Sequence, residues 1–378
     1  MTRQLAPVYA AGFVTAFGAH SIAAGLGGYT EAEHASLLTL GLLLAVYDGA
    51  EVVLKPVFGA LADRVGPRPV LLGGLVAFAV ASGAFVLAGD PALVGLARFG
   101  QGAAAAAFSP AAGALVARLT PETGHGRAFG GYGAWKGLGY TLGPVLGGVL
   151  ITLGGYALLF ATLGGLALAV AGWAAVAVPV APPLPRARQT VLDLVRRLAS
   201  RGFLRPTATL AAATGAVAVG VGFLPVAGAQ LGALPTGAVV SLLAATGALV
   251  QPWAGRAHDA GRIGAAAGMA TGLALAAAGL ATATVLPGIA GLLVAAVAIG
   301  AGTGLATPIA FAHLAAATPK ERLGQTMGAA EVGRELGDAG GPLFVGALAA
   351  AGSLTLGLGG LAGVLAIFAA AVGITARR

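Results

Sequence analysis

Apolar runs of about twenty residues recur along this chain, separated by short clusters of charge, proline and polar residues. A helix of that length matches the hydrocarbon thickness of a bilayer, and lipid holds no water to satisfy a backbone, so only helices or closed barrels can cross it. Barrel strands alternate polar and apolar at every second position, and these runs do not. Charged residues make up 9% of the 378 residues, against about 25% in soluble domains. That is too little charge to cover a globule in water. The pattern predicts an all-α protein that crosses a membrane many times.

Cutting at charges, prolines and polar clusters leaves twelve windows: 5–28, 35–61, 69–89, 92–118, 126–152, 155–180, 206–230, 236–256, 263–284, 287–316, 322–350 and 354–376. The first reads as a span rather than a cleaved signal peptide, being long, poor in basic residues beyond Arg3 and followed by eleven more. A stretch that is Pro-rich and then basic divides the windows six and six. The expected organisation is a six-helix bundle over residues 1–181, a cytoplasmic linker over 182–205 and a second bundle over 206–378. Residues 190–200 suit either a short amphipathic surface helix or a plain linker, with arginines facing anionic lipid in both cases.

Basic residues orient the spans. Of 21 Lys and Arg, 17 fall at the termini or in even-to-odd connections, among them Arg64, Arg68, Arg118, Arg127, Arg197, Arg262 and Lys320. The other four (Lys55, Arg98, Lys136 and Arg334) lie within spans, while the opposite loops carry Glu31, Glu33 and Asp90. The positive-inside rule then puts both termini in the cytoplasm. It also accounts for the net charge of +8 without nucleic acid. With no cysteine, disulfides, thiol catalysis and Cys-ligated metals are excluded.

The halves repeat. Lys55-Pro56-Val57-Phe58-Gly59, running on to Asp63, matches Gln251-Pro252-Trp253-Ala254-Gly255, running on to Asp259, at an offset of 196. Gly102, Ser109-Pro110, Thr120-Pro121, Gly126, Gly130, Leu138-Gly139 and Gly143-Pro144 match Gly300, Thr307-Pro308, Thr318-Pro319, Gly324, Gly328, Leu336-Gly337 and Gly341-Pro342 at an offset of 198. Parallel duplication of six spans is a transporter design, with its substrate site expected near the midplane where the repeats meet.

Three motifs carry a family resemblance. Residues 59–68 read Gly-Ala-Leu-Ala-Asp-Arg-Val-Gly-Pro-Arg; the fourth span holds Arg98-Phe99-Gly100-Gln101-Gly102; the fifth holds Gly139-Tyr140-Thr141-Leu142-Gly143-Pro144-Val145-Leu146-Gly147-Gly148. The first resembles the signature loop of the major facilitator superfamily, Gly-x-x-x-Asp-Arg-x-Gly-x-Arg. The second is similar to its Arg-x-x-Gln-Gly motif. The third resembles the Gly-x-x-x-Gly-Pro-x-x-Gly-Gly element of its proton-coupled antiporters. Pro69 departs from the loop pattern, which usually has a further basic residue there. The resemblance implies twelve transmembrane helices in two six-helix bundles. It also implies a gate in which Gly59, Asp63, Arg64, Gly66, Arg68 and Arg118 hold the cytoplasmic side shut. Asp63 has Arg64, Arg68, Arg118 or a neighbouring helix N-terminus as potential partners. Gly139, Gly143 and Gly147 line one helical face and permit close, slidable packing, while Pro144 removes a backbone hydrogen bond and is expected to kink the span.

Ionisable groups at bilayer depth are functional hypotheses by default. Asp48, Glu51 and Lys55 share one face of span two; Glu331, Arg334, Glu335 and Asp338 share one of span eleven. His20 lies in span one, Arg98 in span four, and Lys136 in span five between Tyr132 and Tyr140 with Trp135 beside it. One reading pairs these charges within their own helices as spectators. The other makes Asp48, Glu51, Glu331, Glu335, Asp338 or His20 the proton carrier, Asp48 and the span-eleven group foremost. In the resembled fold spans two and eleven are neighbours, as are five and eight, so Lys136 and its repeat mate Arg334 are expected to line the central cavity with Arg98. Tyr47, Phe108, Tyr132, Trp135 and Phe311 would supply aromatic walls. These suit an amphiphilic or planar substrate and the three cations an anionic one. A sugar is disfavoured, because amide side chains are few and asparagine is absent.

The expected function is a proton-coupled exporter of drug-like or amphiphilic molecules in a bacterial cytoplasmic membrane, acting as a monomer on a small-molecule substrate and protons. A proton-coupled importer, or an exporter of small organic anions, is the alternative. An enzyme is disfavoured: the five histidines are scattered, no nucleotide-binding Gly-x-x-x-x-Gly-Lys-Ser/Thr loop occurs, and no metal or cofactor is expected.

Overall fold

The computed structural model describes residues 2–32, 37–87, 91–180, 182–183, 193, 196, 198–231 and 233–374. Its helices are α1 (Thr2–Ala32), α2 (Leu37–Val65), α3 (Pro67–Leu87) and α4 (Pro91–Arg118), followed by a helical run over His125–Ala177. That run departs from helical dihedrals at Gly154 and Gly155, the latter with φ +68°. It is therefore two helices, α5 (125–153) and α6 (156–177). After it come α7 (Arg201–Ala227), α8 (Ala233–Asp259), α9 (Ala265–Val285), α10 (Gly288–Ala316), α11 (Leu323–Ala351) and α12 (Leu354–Ile374). Among the described residues there is no strand.

The twelve windows fall on these twelve helices within a few residues. One boundary differs. The seventh helix starts at Arg201, upstream of its window; the fifth stays helical through Pro144 and ends at Gly154–Gly155, where the fifth and sixth windows meet. Glycine tolerates the left-handed dihedral that such a break needs. The suggested surface helix over 190–200 lies mostly outside the described residues.

Eight described stretches are long and apolar enough to cross a membrane, with residues 122–177 counted as one stretch of 56 residues. The helices outside that set, α2, α4 and α11, carry ionisable side chains in their described length: Glu51 and Lys55, Arg98, and Glu331 with Arg334.

The chain forms two compact units. The first contains residues 1–120, 135–186 and 318–332; the second contains 121–134, 187–317 and 333–378. The start of α5 thus belongs with the later helices, and the start of α11 with the earlier ones. Within the first unit α4 packs on α1, α2 and α3; within the second α10 packs on α7, α8 and α9. The duplication read from sequence is therefore a duplication of packing. The second unit has a core of Val219, Leu243, Leu273, Leu280, Leu292, Ile299, Val345, Leu358 and Leu365.

Close approach replaces the hydrophobic effect as the cohesive term, since lipid tails are as apolar as leucine. A Cβ on Gly102 would lie 3.0 Å from the Cβ of Ala50, and one on its mate Gly300 would lie 3.0 Å from the Cβ of Thr246. The same α2–α4 crossing recurs as α8–α10. The glycine stripe of α5 lies on α1: a Cβ at Gly139 would sit 2.8 Å from that of Ala16, and one at Gly147 would sit 2.7 Å from that of Ser21. Ser21 Oγ donates to the Gly143 carbonyl at 2.8 Å, tying the two helices at the contact.

Candidate functional site

Asp63, at the end of α2, is 2% exposed. Its two carboxylate oxygens accept the backbone N–H groups of Gly324 at 2.7 Å and Gln325 at 2.8 Å, in the first turn of α11. Those donors have no partner within their own helix, and the helix dipole favours a negative charge there. Arg118 Nη2 lies 3.7 Å from Asp63 Oδ1 and donates to the Lys320 carbonyl at 3.1 Å. The approach needs glycine on both sides, because a Cβ on Gly59 would run into the Gly324 carbonyl and one on Gly324 would come within 2.9 Å of Asp63 Oδ1. Gly66, φ +97°, makes the tight turn from α2 to α3. Arg68 donates to the Ala175 carbonyl at the end of α6, and Arg64 is exposed.

The second unit holds a counterpart that the sequence reading aligned but did not assign. Asp259, at the end of α8, accepts the N–H groups of Gly126 and Arg127, each at 2.7 Å, in the first turn of α5. A Cβ on Gly126 would come 2.7 Å from Asp259 Oδ1. The signal was the repeat itself, since Asp63 and Asp259 are mates, as are Gly324 and Gly126. Among the described residues no Lys or Arg stands within ion-pair distance of Asp259, so the cation that backs Asp63 has no equivalent.

A buried ion cluster joins α2, α5 and the start of α11 in the first unit. Lys55, 1% exposed, is 3.2 Å from Glu51 Oε1 and 3.7 Å from Glu331 Oε2. Glu331, 3% exposed, also faces Lys136 Nζ at 3.7 Å. Glu51 pairs with Lys55 along one helix, as the spectator reading has it, while Glu331 is shared by two lysines of other helices. Buried ions hold together only with their counter-charges in place.

The remaining candidates distribute as follows. Arg98, 2% exposed, lies 4.5 Å over the Tyr47 ring, in the field of Asp48 and Glu51. Asp48 is exposed, as is Asp338, and Glu335 is half-buried. Arg334 stands 6.0 Å from the Phe311 ring, which stacks on Phe129 at 5.4 Å. His20 packs on Tyr140 at 4.4 Å, and its Nδ1 donates to the Ala16 carbonyl at 3.2 Å. Tyr47, Phe108, Tyr132 and Phe311 are buried, Phe108 beneath Gly74 where α3 meets α4, whereas Trp135 is 43% exposed. No cluster of metal-binding side chains occurs among the described residues.

With this geometry in hand, comparison with known proteins is decisive for the family. The sequence profile described as Major Facilitator Superfamily matches residues 8–259, two thirds of the chain. The chain belongs to the major facilitator superfamily. It is a multi-pass membrane transporter and not an enzyme. The puromycin resistance protein pur8 of Streptomyces alboniger is 44% identical over 93 residues, 24% of this chain and 18% of that protein. The quinolone resistance protein NorA of Staphylococcus aureus is 30% identical over 111 residues, 29% of each. The matched stretches thus span less than a third of either relative. The fold is shared with the human organic anion transporter MFSD10 (TM-score 0.79, 17% identity, 98% of this chain and 99% of that one). It is shared also with the E. coli fucose:proton symporter FucP (TM-score 0.78, 15% identity, 99% and 97%).

Proposed function

We propose that this transporter is a proton-coupled exporter of drug-like or amphiphilic small molecules. It works by alternating access as a single chain in a bacterial cytoplasmic membrane, with both termini in the cytoplasm. The observation that carries coupling is Glu331, buried between Lys55 and Lys136 at 3.7 Å from each. A carboxyl group so placed changes the charge of the cluster when it takes up a proton, and a ligand that distinguishes two states shifts their populations. The export reading is supported by the resistance proteins among the relatives and by the Gly-Pro element of α5. The orientation is supported by the distribution of basic residues. The latches at Asp63 and Asp259 serve as the two closures that the cycle makes and breaks.

The test is uptake of a fluorescent lipophilic cation into inverted proteoliposomes with and without an imposed pH gradient. Gradient-driven accumulation that is lost in Glu331→Gln is expected. Equal accumulation without a gradient would reject proton coupling. A second reading, transport of organic anions, is favoured by Lys136, a cation within α5 that stands beside exposed Trp135.

A further inference from the structure

The second unit carries two ionisable rings where the first unit has apolar contacts. His258, in the last turn of α8, is the repeat mate of Ala62, and His313, in the last turn of α10, is the mate of Leu115. Ala62 and Leu115 are fully buried, whereas the two histidines are half-buried. The charges of His258 and of half-buried Arg205 in α7 both reach His313, and α7, α8 and α10 pack pairwise. His258 Nδ1 donates to the Ile263 carbonyl at 2.8 Å, so Nε2 is the atom that gains or loses the proton. Arg201, Arg256 and Arg262 are exposed at the same helix ends. Arg262 is held by a helix cap: its N–H bonds to the Ala257 carbonyl across Gly261, φ +71°. We propose that Arg205, His258 and His313 form a binding site for the phosphate of an anionic phospholipid, and that the two histidines tighten it as they take up protons.

Among the described residues no carboxylate stands within ion-pair distance of these four arginines and two histidines. The positive-inside rule accounts for arginines at this level. It does not account for ionisable rings in positions that pack apolar side chains in the first unit. Two protonated histidines beside an arginine repel one another, and an anion in their common field offsets that repulsion. The depth of the site favours a lipid. Leu249, Trp253 and Arg256 follow one exposed strip of α8 at i, i+4 and i+7, and Leu204 is exposed next to Arg205. Passing from leucine to tryptophan to arginine along a span marks the membrane–water interface. An occupant here meets apolar side chains on one side and cations on the other, as a phospholipid does and a free ion does not. In the orientation proposed above this end meets the cytoplasmic leaflet, which is the anionic one. Other charged and titratable groups on the elements packed against the two rings are few. Asp259 follows His258 and accepts the N–H groups of Gly126 and Arg127, and the turn that touches α10 carries exposed Glu122 before His125. The described α9 carries none. Proton and phosphate then raise each other's affinity by the same factor. The site stands apart from the cargo and from the coupling carboxylate.

The experiment uses the full chain in nanodiscs and its own tryptophans, at positions 135, 173 and 253. Two single-tryptophan forms, with the others replaced by Phe, retain Trp253 or Trp173. Trp253 reads the proposed site. Trp173, exposed near the end of α6 and two residues before the carbonyl that Arg68 contacts, reads lipid beside an arginine without histidines. Quenching by acyl-brominated phosphatidylglycerol against acyl-brominated phosphatidylcholine gives the local preference for the anionic lipid. At Trp253 that preference should rise about fivefold or more from about pH 8 to about pH 5, the range in which histidine gains its charge, each surface cation contributing about fivefold. At Trp173 it should not change with pH. His258→Asn, which keeps a donor for the Ile263 carbonyl, combined with His313→Gln should remove the rise. His313→Arg should hold the preference high at pH 8, and Arg205→Gln should lower it at every pH. A preference at Trp253 that is absent, flat with pH or matched in its rise by Trp173 would overturn the proposal, and these measurements need no site variant to fold. A rise that survives the double histidine variant would overturn it too. Inorganic phosphate, against chloride at equal ionic strength, separates the sources. An unchanged preference supports the lipid, whereas its loss in phosphate alone would overturn the lipid assignment in favour of the free ion.

Discussion

Replacing Asp63 by asparagine isolates the closure at the end of α2, because size and shape are retained while charge and one acceptor are lost. The carboxylate now accepts two N–H groups at 2.7 and 2.8 Å and faces Arg118 at 3.7 Å. An amide keeps one acceptor and turns a donor toward the other N–H. A hydrogen bond to a charged group contributes roughly 1.5–3 kcal/mol, and the charge at a helix N-terminus roughly 0.3–1 kcal/mol more. The closed arrangement should thus lose about 2–4 kcal/mol, which raises the open population by about 30-fold to nearly a thousandfold. The chain has no cysteine, so a single Met327→Cys reporter can read that population. Met327 is 1% exposed and lies one turn beyond the donors of α11, where a Cβ on Gly113 would be 3.3 Å from its side chain. Maleimide labelling of the reporter in membranes should accelerate by that factor in Asp63→Asn, with transport reduced and expression unchanged. A rate within about threefold of the parent, far short of the shift that a lost charged hydrogen bond implies, together with normal transport, would refute the latch.

Asp259→Asn should open the second closure less steeply, since no described cation backs that carboxylate; a cysteine at buried Phe129, the repeat mate of Met327, reads it in the same way. Lys55→Met leaves Glu51 and Glu331 buried without that lysine and should cost roughly 3–5 kcal/mol, seen as a lower melting temperature in detergent. Glu51→Gln in the same background should recover part of the loss. Gly59→Val places a branched side chain against the Gly324 carbonyl and should abolish transport while the protein still inserts, which surface labelling and proteoliposome flux together report. In gradient-driven flux, Glu331→Gln is expected to be inactive, and Asp48→Asn, altered at an exposed position, is expected to keep most activity. The reverse order would move the coupling role to Asp48.

The helices were legible because a span in lipid is a sum over twenty residues, and such a sum tolerates local error. The break at Gly154–Gly155 was legible for the same reason: two adjacent glycines end one apolar run and begin the next. At Pro144 α5 keeps its helical dihedrals, with the flanking glycine stripe packed against α1. At the site, residue type was readable and partner was not. Glu331 was in view beside Arg334 and Asp338 in sequence, but its shared lysines come from α2 and α5. Periodicity describes one helix at a time, and a contact between helices far apart in the chain depends on rotations that no local pattern fixes. Asp259 shows the converse. Its alignment with Asp63 contained the geometry, but an isolated aspartate at a helix end carries no distinguishing signal of its own.

The duplicated frame also shows where the two repeats were allowed to diverge. At the latches the mates keep their chemistry: Asp63 and Asp259 each cap the first turn of a partner helix, and Gly324 and Gly126 let them in. Along the same seams three of the four mates of the ion cluster are neutral, and only Lys136 keeps a charged mate, Arg334. Gln251 stands for Lys55, Gly247 for Glu51 and Gly133 for Glu331, and the Gln251 side chain fills the space over Gly133 that a larger residue would occupy. Further along, Met327 lies against Gly113 in one unit, where Phe129 stacks on Phe311 in the other. Backbone approach is set by glycines and is hard to vary without collision, so it persists. Buried charge carries a desolvation cost of several kcal/mol per ion, so it survives only where it is used. A second charged seam would add that cost and a competing place for a proton to bind. Among the described residues the two glutamates and two lysines of the cluster belong to α2, α5 and α11 of the first unit, while the second unit keeps one cation of that set, Arg334, near Phe311.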